Sequence, residues 1–176
     1  MDCNGYRFEV EYFENGVVDE KNIKIDLFSD EAERVVECFL RKNNEKDGFK
    51  FDKKKGYKCK NSKKWDFNCP FNQRETKKNL SSTQIRKFYE EVLNLKQKLD
   101  NGEDFRKILP YFKMLKAKAN VAYERDVINT NFKIFIEENV DYVTKEENLE
   151  EMKKKFKVFC TFFEAVVAYA KGRIKD

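Results

Sequence analysis

The sequence has no histidine and few residues that interrupt helices, with only two prolines and six glycines among 176 residues. The absence of histidine excludes Ser-His-Asp triads, HExxH zinc sites and the side chain that most often acts as a general base. Carboxylates, lysines or a cysteine could still do chemistry, but the expectation of an enzyme falls. There is also no GxxxxGK[ST] or GxGxxG motif, so the sequence offers no loop for binding nucleotide phosphates.

Long apolar runs are missing as well. No segment approaches the roughly 20 apolar residues that cross a bilayer, so no membrane partner is expected. The first residues lack the basic region and apolar core of a secretory signal. The five cysteines are odd in number and scattered, which argues against a disulfide scaffold and favours a reduced, cytoplasmic location. They are Cys3, Cys38, Cys59, Cys69 and Cys160.

Charge is distributed in blocks along the chain, although the net charge is only +5. Residues 1–40 carry 4 basic and 11 acidic side chains, residues 41–79 carry 14 and 5, and residues 80–176 carry 19 and 16. Such blocks indicate separate structural segments rather than one averaged surface. We therefore divide the chain into an N-terminal part, 1–79, and a C-terminal part, 80–176.

The N-terminal part is predicted to be a small lobe of one β-hairpin and one helix, followed by a long basic loop. Asn15-Gly16 is typical of a two-residue hairpin turn, and apolar residues alternate with polar ones before it. A helix with apolar residues at helical spacing follows Ser29 and runs to Leu40. Residues 41–79 have no sustained period and are interpreted as the loop. The strand residues would be Tyr6, Phe8, Val10 and Tyr12, then Ile23, Ile25 and Leu27.

The C-terminal part is predicted to be an antiparallel bundle of four to five helices, so the fold class is mainly α. Caps and apolar spacing place helices from Ser81/Ser82 to Asn101-Gly102, and over about 105–125, 129–143 and 148–171. Apolar residues wrap most of the circumference of the last helix, so we expect it to be the central, most buried one. The linkers are short, which favours antiparallel neighbours.

Cysteine patterns do not predict a metal or catalytic site. Cys59 and Cys69 have the spacing CX9C and no histidine is available, whereas a structural zinc site needs four ligands. Two ordinary thiols are therefore favoured over a metal site, which stays open. Cys160 lies on the apolar side of the last helix without a partner to activate it, so we expect a buried core residue.

Carboxylates do not converge either. Adjacent residues on a helix diverge by about 100°, so neighbouring glutamates are interpreted as solvated faces. Glu164 lies among phenylalanines and is expected to make a polar contact within the bundle or across an interface. The neighbouring pairs are Glu90-Glu91, Glu137-Glu138 and Glu146-Glu147.

Six basic residues of the bundle are candidates for nucleic-acid binding: Arg86, Lys87, Lys113, Lys116, Lys118 and Arg125. The first two lie early on the first bundle helix, away from its apolar stripe. On the second helix, at about 100° per residue, the next two fall on one flank of the apolar stripe and the last two on the other. Cations so placed can reach successive phosphates without reading bases. That they only solvate the helices stays an alternative.

The basic loop 41–79 also interleaves cations with aromatic residues, a combination that suits single-stranded nucleic acid. The aromatic residues could equally fasten the loop onto the bundle, and both interpretations stay open.

Three phrases make the C-terminal part recognisable: LSSTQIRKFYEEVLNLK (80–96), LPYFKMLKAKANVAYER (109–125) and FKVFCTFFEAVVAYAKGR (156–173). In this order and spacing they resemble the small subunit of the type III-A CRISPR effector, the Csm complex. TQIRKFY and FFEAVVAYAKG are the specific parts. The resemblance covers about 80–176, a little over half of the chain, and leaves residues 1–79 unexplained.

The resemblance implies a non-catalytic, mostly helical subunit that stacks in multiple copies beside the subunits holding the guide RNA. Its partners would be the CRISPR guide RNA and target RNA, which it contacts through the backbone, and other subunits of the Csm complex. Self-association as a homodimer stays open, and no catalytic residue, cofactor or metal is expected. The positions that match the family's basic pattern are Arg86, Lys116, Lys118 and Arg125, with Lys87 and Lys113 as secondary candidates.

Two alternatives remain at this point. One is a helical assembly or interaction protein without direct RNA contact. The other is a metal-dependent nuclease built on carboxylates.

Overall fold

Five α-helices make up most of the described part of the chain, which is residues 10–40, 49–52, 56–59 and 80–174 of a computed structural model. The fold is mainly α, as predicted. The helices are α1 (Asp30–Leu40), α2 (Ser82–Asp100), α3 (Phe105–Glu124), α4 (Thr130–Thr144) and α5 (Leu149–Arg173).

The helix starts follow from side chains that cap free backbone amides. At α2, Ser81 Oγ accepts from the Gln84 amide at 3.2 Å while Gln84 Oε1 accepts from the Ser81 amide at 2.8 Å, which is a complete capping box. Single acceptors do the same for the other bundle helices, because an Asp or Asn oxygen satisfies an amide of the first turn. They are Asp104 for α3, Asn129 for α4 and Asn148 for α5.

Helix α5 is the centre of the core, as its apolar circumference predicts. It contacts each of the other four helices. Its phenylalanines at 156, 159, 162 and 163 are fully buried, and their rings meet those of Phe112 on α3 and Phe135 on α4 at centroid distances of 5.0–6.4 Å. These edge-to-face and tilted contacts add to the burial of apolar area.

The predicted N-terminal β-hairpin is wrong for the described part of that segment. The turn itself forms, because Asn15 and Gly16 have φ of 54° and 70° and the Val17 amide donates to the Glu14 carbonyl at 3.3 Å. Beyond it, only Phe13 and Ile23 form an isolated antiparallel bridge. The turn belongs to a 3-10 helix, Glu14–Gly16, and another 3-10 helix, Glu20–Asn22, lies where the second strand was predicted to begin.

Burial in this segment does not follow the alternation expected of a half-buried hairpin. Consecutive residues Tyr12 and Phe13 are 0% and 1% exposed, whereas a strand sends consecutive side chains to opposite faces. Ile25, expected on the second strand, is 93% exposed. The first predicted strand residues, Tyr6 and Phe8, lie outside the described residues.

The segment before α1 and α1 itself are fastened to the bundle helices. The Tyr12 hydroxyl donates to Asn139 Oδ1 on α4 at 2.5 Å, and both residues are fully buried. At the end of α1, the side-chain amides of Asn129 and Asn131 donate to the Phe39 and Cys38 carbonyls at 3.0 and 2.6 Å. The buried residues of α1 thus join the bundle core, and the division of the chain after residue 79 stays a prediction.

Part of the segment predicted to be a loop contains strands β1 (Phe49–Asp52) and β2 (Gly56–Cys59), which pair antiparallel with Phe49 opposite Cys59. Each strand has only four residues, which is too short to show as a sustained apolar period in the sequence. The rest of 41–79, and with it the question of a metal between Cys59 and Cys69, lies outside what the structure describes.

The described cysteines differ in state. Cys38 is disulfide-bonded, which departs from the expectation of reduced cysteines. Cys160 is a free thiol buried on α5, as its place on the apolar side predicts. Burial raises the pKa of this thiol from its ordinary value to about 12.

Candidate nucleic-acid interface

The six candidate basic residues lie on the two helices of one hairpin. Arg86 and Lys87 are exposed on the first turns of α2, and Arg125 is the exposed C-cap of α3. The remaining three, Lys113, Lys116 and Lys118, lie along α3.

Two contacts show the register between α2 and α3. Lys118 on α3 pairs with Glu91 on α2, and Lys98 Nζ on α2 lies 5.5 Å from the ring centroid of Tyr111 on α3. Both contacts fit one antiparallel alignment. Continued along the helices, that alignment brings Arg125 level with the first turn of α2, within about one helical turn of Arg86 along the axis.

Three candidates therefore lie at one end of the α2–α3 hairpin. We call Arg86, Lys87 and Arg125 the end set. Within the described residues, no carboxylate forms an ion pair with any of them.

Two of the α3 lysines are held by carboxylates instead. Lys116 Nζ lies 2.5 and 2.6 Å from the two carboxylate oxygens of Asp141 on α4, and Lys118 pairs with Glu91 on α2. The two lysines thus point to opposite sides of α3. We call them the paired lysines. Lys113 has no ion pair with a carboxylate in the described ranges, and it is exposed.

The family model described as Csm2 Type III-A matches residues 71–175. That range holds helices α2 to α5 and all six candidate basic residues. The chain belongs to the Csm2 type III-A family. It is therefore a small subunit of the type III-A CRISPR effector complex and associates with other Csm subunits. Searches of curated proteins and of solved structures found no match.

In this Csm2-family chain, the adjacent glutamates are exposed or partly exposed, and the sequence did not indicate that some of them form ion pairs. One member of each pair meets a lysine: Glu91 with Lys118, Glu137 with Lys133 and Glu146 with Lys155. The 100° divergence explains why one neighbour faces a lysine and the other does not. Across the described ranges, no group of His, Cys, Asp or Glu residues could hold a metal ion.

The sequence also missed the buried Lys155 on α5 of this Csm2-family chain. Its side chain is 3% exposed and pairs with Glu146, and its Nζ lies 4.2 Å from the ring centroid of Tyr142. The hydrogen bond from Lys155 lowers the pKa of the Glu146 carboxyl. The only clue in the sequence is that Lys155 directly precedes Phe156, where the apolar residues of the last helix begin. That position alone does not indicate whether the lysine side chain is buried or exposed.

Glu164 is exposed rather than enclosed by the phenylalanines. Its carboxylate interacts with the hydroxyl of Tyr89 on α2, and burial together with this carboxylate raises the pKa of that hydroxyl. No helix in the described part of the Csm2-family chain is long and apolar enough to span a membrane.

Proposed function

We propose that this chain is a non-catalytic small subunit that contacts the backbone of the guide or target RNA through the end set. The observation that carries the proposal is that Arg86, Lys87 and Arg125 are exposed and lie within about one helical turn of each other along the axis at one end of the α2–α3 hairpin. We further propose that several copies of the chain stack within a Csm complex in the cytoplasm. Membership in the Csm2 family supports this assembly.

The chemistry of the end set suits phosphate rather than base recognition. Two guanidinium groups and one ammonium group are exposed there, on helices whose antiparallel register is shown by the Lys118–Glu91 pair further along the hairpin. Arginine and lysine contacts to phosphate give affinity without sequence preference. The guide RNA then supplies sequence recognition by base pairing.

The proposed absence of catalysis is supported by the environments of the glutamates and of the Cys160 thiol. Glu91, Glu137 and Glu146 each pair with a lysine on another helix or on the preceding turn of the same helix, so they do not point into a shared site. The Cys160 thiol has a pKa near 12 because it is buried. It therefore stays protonated at neutral pH and is a poor nucleophile.

Stacking of copies is supported by apolar side chains on the outside of α3. Tyr111, Met114 and Val121 are 58%, 51% and 49% exposed, and they recur at helical spacing along that face. Exposed apolar side chains grouped on one face suit contact with another protein chain.

The test is charge reversal of the end set in the assembled effector complex. Arg86→Glu with Arg125→Glu should reduce crosslinking of this subunit to bound RNA. It should also make binding less sensitive to salt. The slope of log K against log salt concentration should become shallower by about 0.7 for each phosphate contact to single-stranded RNA that is lost. The matched control is Arg106→Glu with Lys107→Glu, because these exposed cations lie at the opposite end of the same hairpin.

Unchanged crosslinking in the end-set variant, or an equal loss in the control, would contradict RNA contact at this end. The chain would then act as an assembly subunit only. RNA degradation by the purified chain with Mg²⁺, abolished by one carboxylate substitution, would contradict the non-catalytic role.

A further inference from the structure

The paired lysines of α3 meet carboxylates that come from the helices on either side. Glu91 is contributed by α2 and Asp141 by α4. Both pairs therefore bridge neighbouring helices, and each of the two acidic residues borders α3 on one side. Glu91 and Asp141 are separated in sequence from their lysines by 27 and 25 residues, respectively.

These two ion pairs are open to solvent. The Lys118 and Glu91 side chains are 45% and 41% exposed, and those of Lys116 and Asp141 are 38% and 57% exposed. A phosphate can therefore approach either lysine from outside. The buried pair of Lys155 differs, because that lysine side chain is 3% exposed.

A phosphate that approaches a paired lysine must compete with the carboxylate already bound to it. Lysine has three N–H donors but one charge, so a carboxylate beside the ammonium repels the incoming phosphate. In the case of Lys116, both oxygens of Asp141 lie within 2.6 Å of Nζ. The end set has no such competitor within the described residues.

We propose that Glu91 and Asp141 limit the affinity of this subunit for RNA by occupying two lysines that could otherwise bind phosphate. Each neutralises one lysine of α3 and releases it only when a phosphate replaces the carboxylate. The proposal rests on RNA contact by this subunit and deepens it: the end set supplies basal affinity, and the paired lysines add to it only at the expense of an ion pair.

The experiment is a titration of a labelled short single-stranded RNA with the full chain, followed by fluorescence anisotropy. Glu91→Gln and Asp141→Asn should each tighten binding by about two- to five-fold, the range set by a surface ion pair. The salt slope should become steeper by up to about 0.7 for each released lysine. Both variants change exposed side chains, so an unchanged thermal unfolding midpoint is the check on folding.

Matched controls separate release of a lysine from a general gain in positive charge. Glu90→Gln and Glu138→Gln make the same charge change on α2 and α4, and neither glutamate has an ion pair within the described part of the chain. In addition, Glu91→Gln should give no extra tightening over Glu90→Gln when Lys118 is already methionine. Such a double-mutant comparison isolates the one interaction.

The outcomes are distinct. Equal tightening by the control variants, or a Glu91→Gln effect that persists without Lys118, would overturn the proposal while RNA contact stands. Tightening by Glu91→Gln and Asp141→Asn alone would support it, including the case in which only these variants bind measurably. No binding by the wild type or any variant would overturn both this proposal and RNA contact by the isolated subunit.

Discussion

Substitution of Tyr12 by phenylalanine tests how the segment before α1 is held on the bundle. In the structure the Tyr12 hydroxyl donates to Asn139 Oδ1 at 2.5 Å, in a site where neither residue is exposed. Phenylalanine keeps the ring and its edge contact with Tyr142, 4.7 Å between centroids, but leaves the Asn139 oxygen without its donor.

The cost follows from that unsatisfied oxygen. A buried polar group that loses its partner destabilises a protein by about 1–3 kcal/mol. For a chain of this size each kcal/mol corresponds to about 2–4 °C in the unfolding midpoint. We therefore expect Tyr12→Phe to lower the midpoint by several degrees, and urea unfolding with an unchanged m-value should report the same loss of free energy.

Two further variants make the test specific. Tyr111→Phe removes a hydroxyl from a ring that is 58% exposed, so its unfolding free energy should stay within about 0.5 kcal/mol of wild type. Tyr12→Phe combined with Asn139→Leu removes both partners and should cost less than the sum of the single changes. Strict additivity, or a Tyr12→Phe cost no larger than that of Tyr111→Phe, would refute the buried contact.

The remaining predictions concern two other buried groups. The Cys160 pKa is raised to about 12 in the folded protein, so as the pH rises the thiol ionises at a lower pH in the unfolded chain than in the folded one. The free energy of unfolding therefore falls above about pH 9, by up to about 1.4 kcal/mol per pH unit. Urea unfolding at several alkaline pH values should show a shallower decline for Cys160→Ser, and equal declines would contradict this. Glu146→Ala leaves the buried Lys155 unpaired and should cost about 1.5–3 kcal/mol, more than Glu147→Ala. Since the Glu146 pKa is lowered, its contribution is present above about pH 4.5 and is lost as the pH falls through the lowered pKa; a gap between these variants that persists in acid would count against the ion pair.

Helix ends were predictable because capping is local. The capping box of Ser81 and Gln84 involves residues three apart, and Asn101-Gly102 follows the last residue of α2 directly. The central position of α5 was predictable as well, since apolar residues cover most of the helix circumference and leave only a narrow stripe for solvent.

The N-terminal hairpin failed for the opposite reason. The Asn15-Gly16 turn adopts the backbone conformation its residues favour, but the segments beside it do not pair as strands. Tyr12 contacts Asn139 and Tyr142 more than 120 residues away, and burial of both Tyr12 and Phe13 overrides the alternation that their neighbours suggest.

For the candidate site, the sequence alone determined which cations lie on exposed helix positions, because helical spacing places each residue relative to the apolar stripe. Only the tertiary structure decided which of those cations are available. Arg86 and Arg125 come to one end through the antiparallel register of α2 and α3, while Lys116 and Lys118 meet Asp141 and Glu91 from separate helices. Periodicity fixes direction around one helix, but the partner of a charge depends on which helix packs beside it, and packing of the shared core decides that.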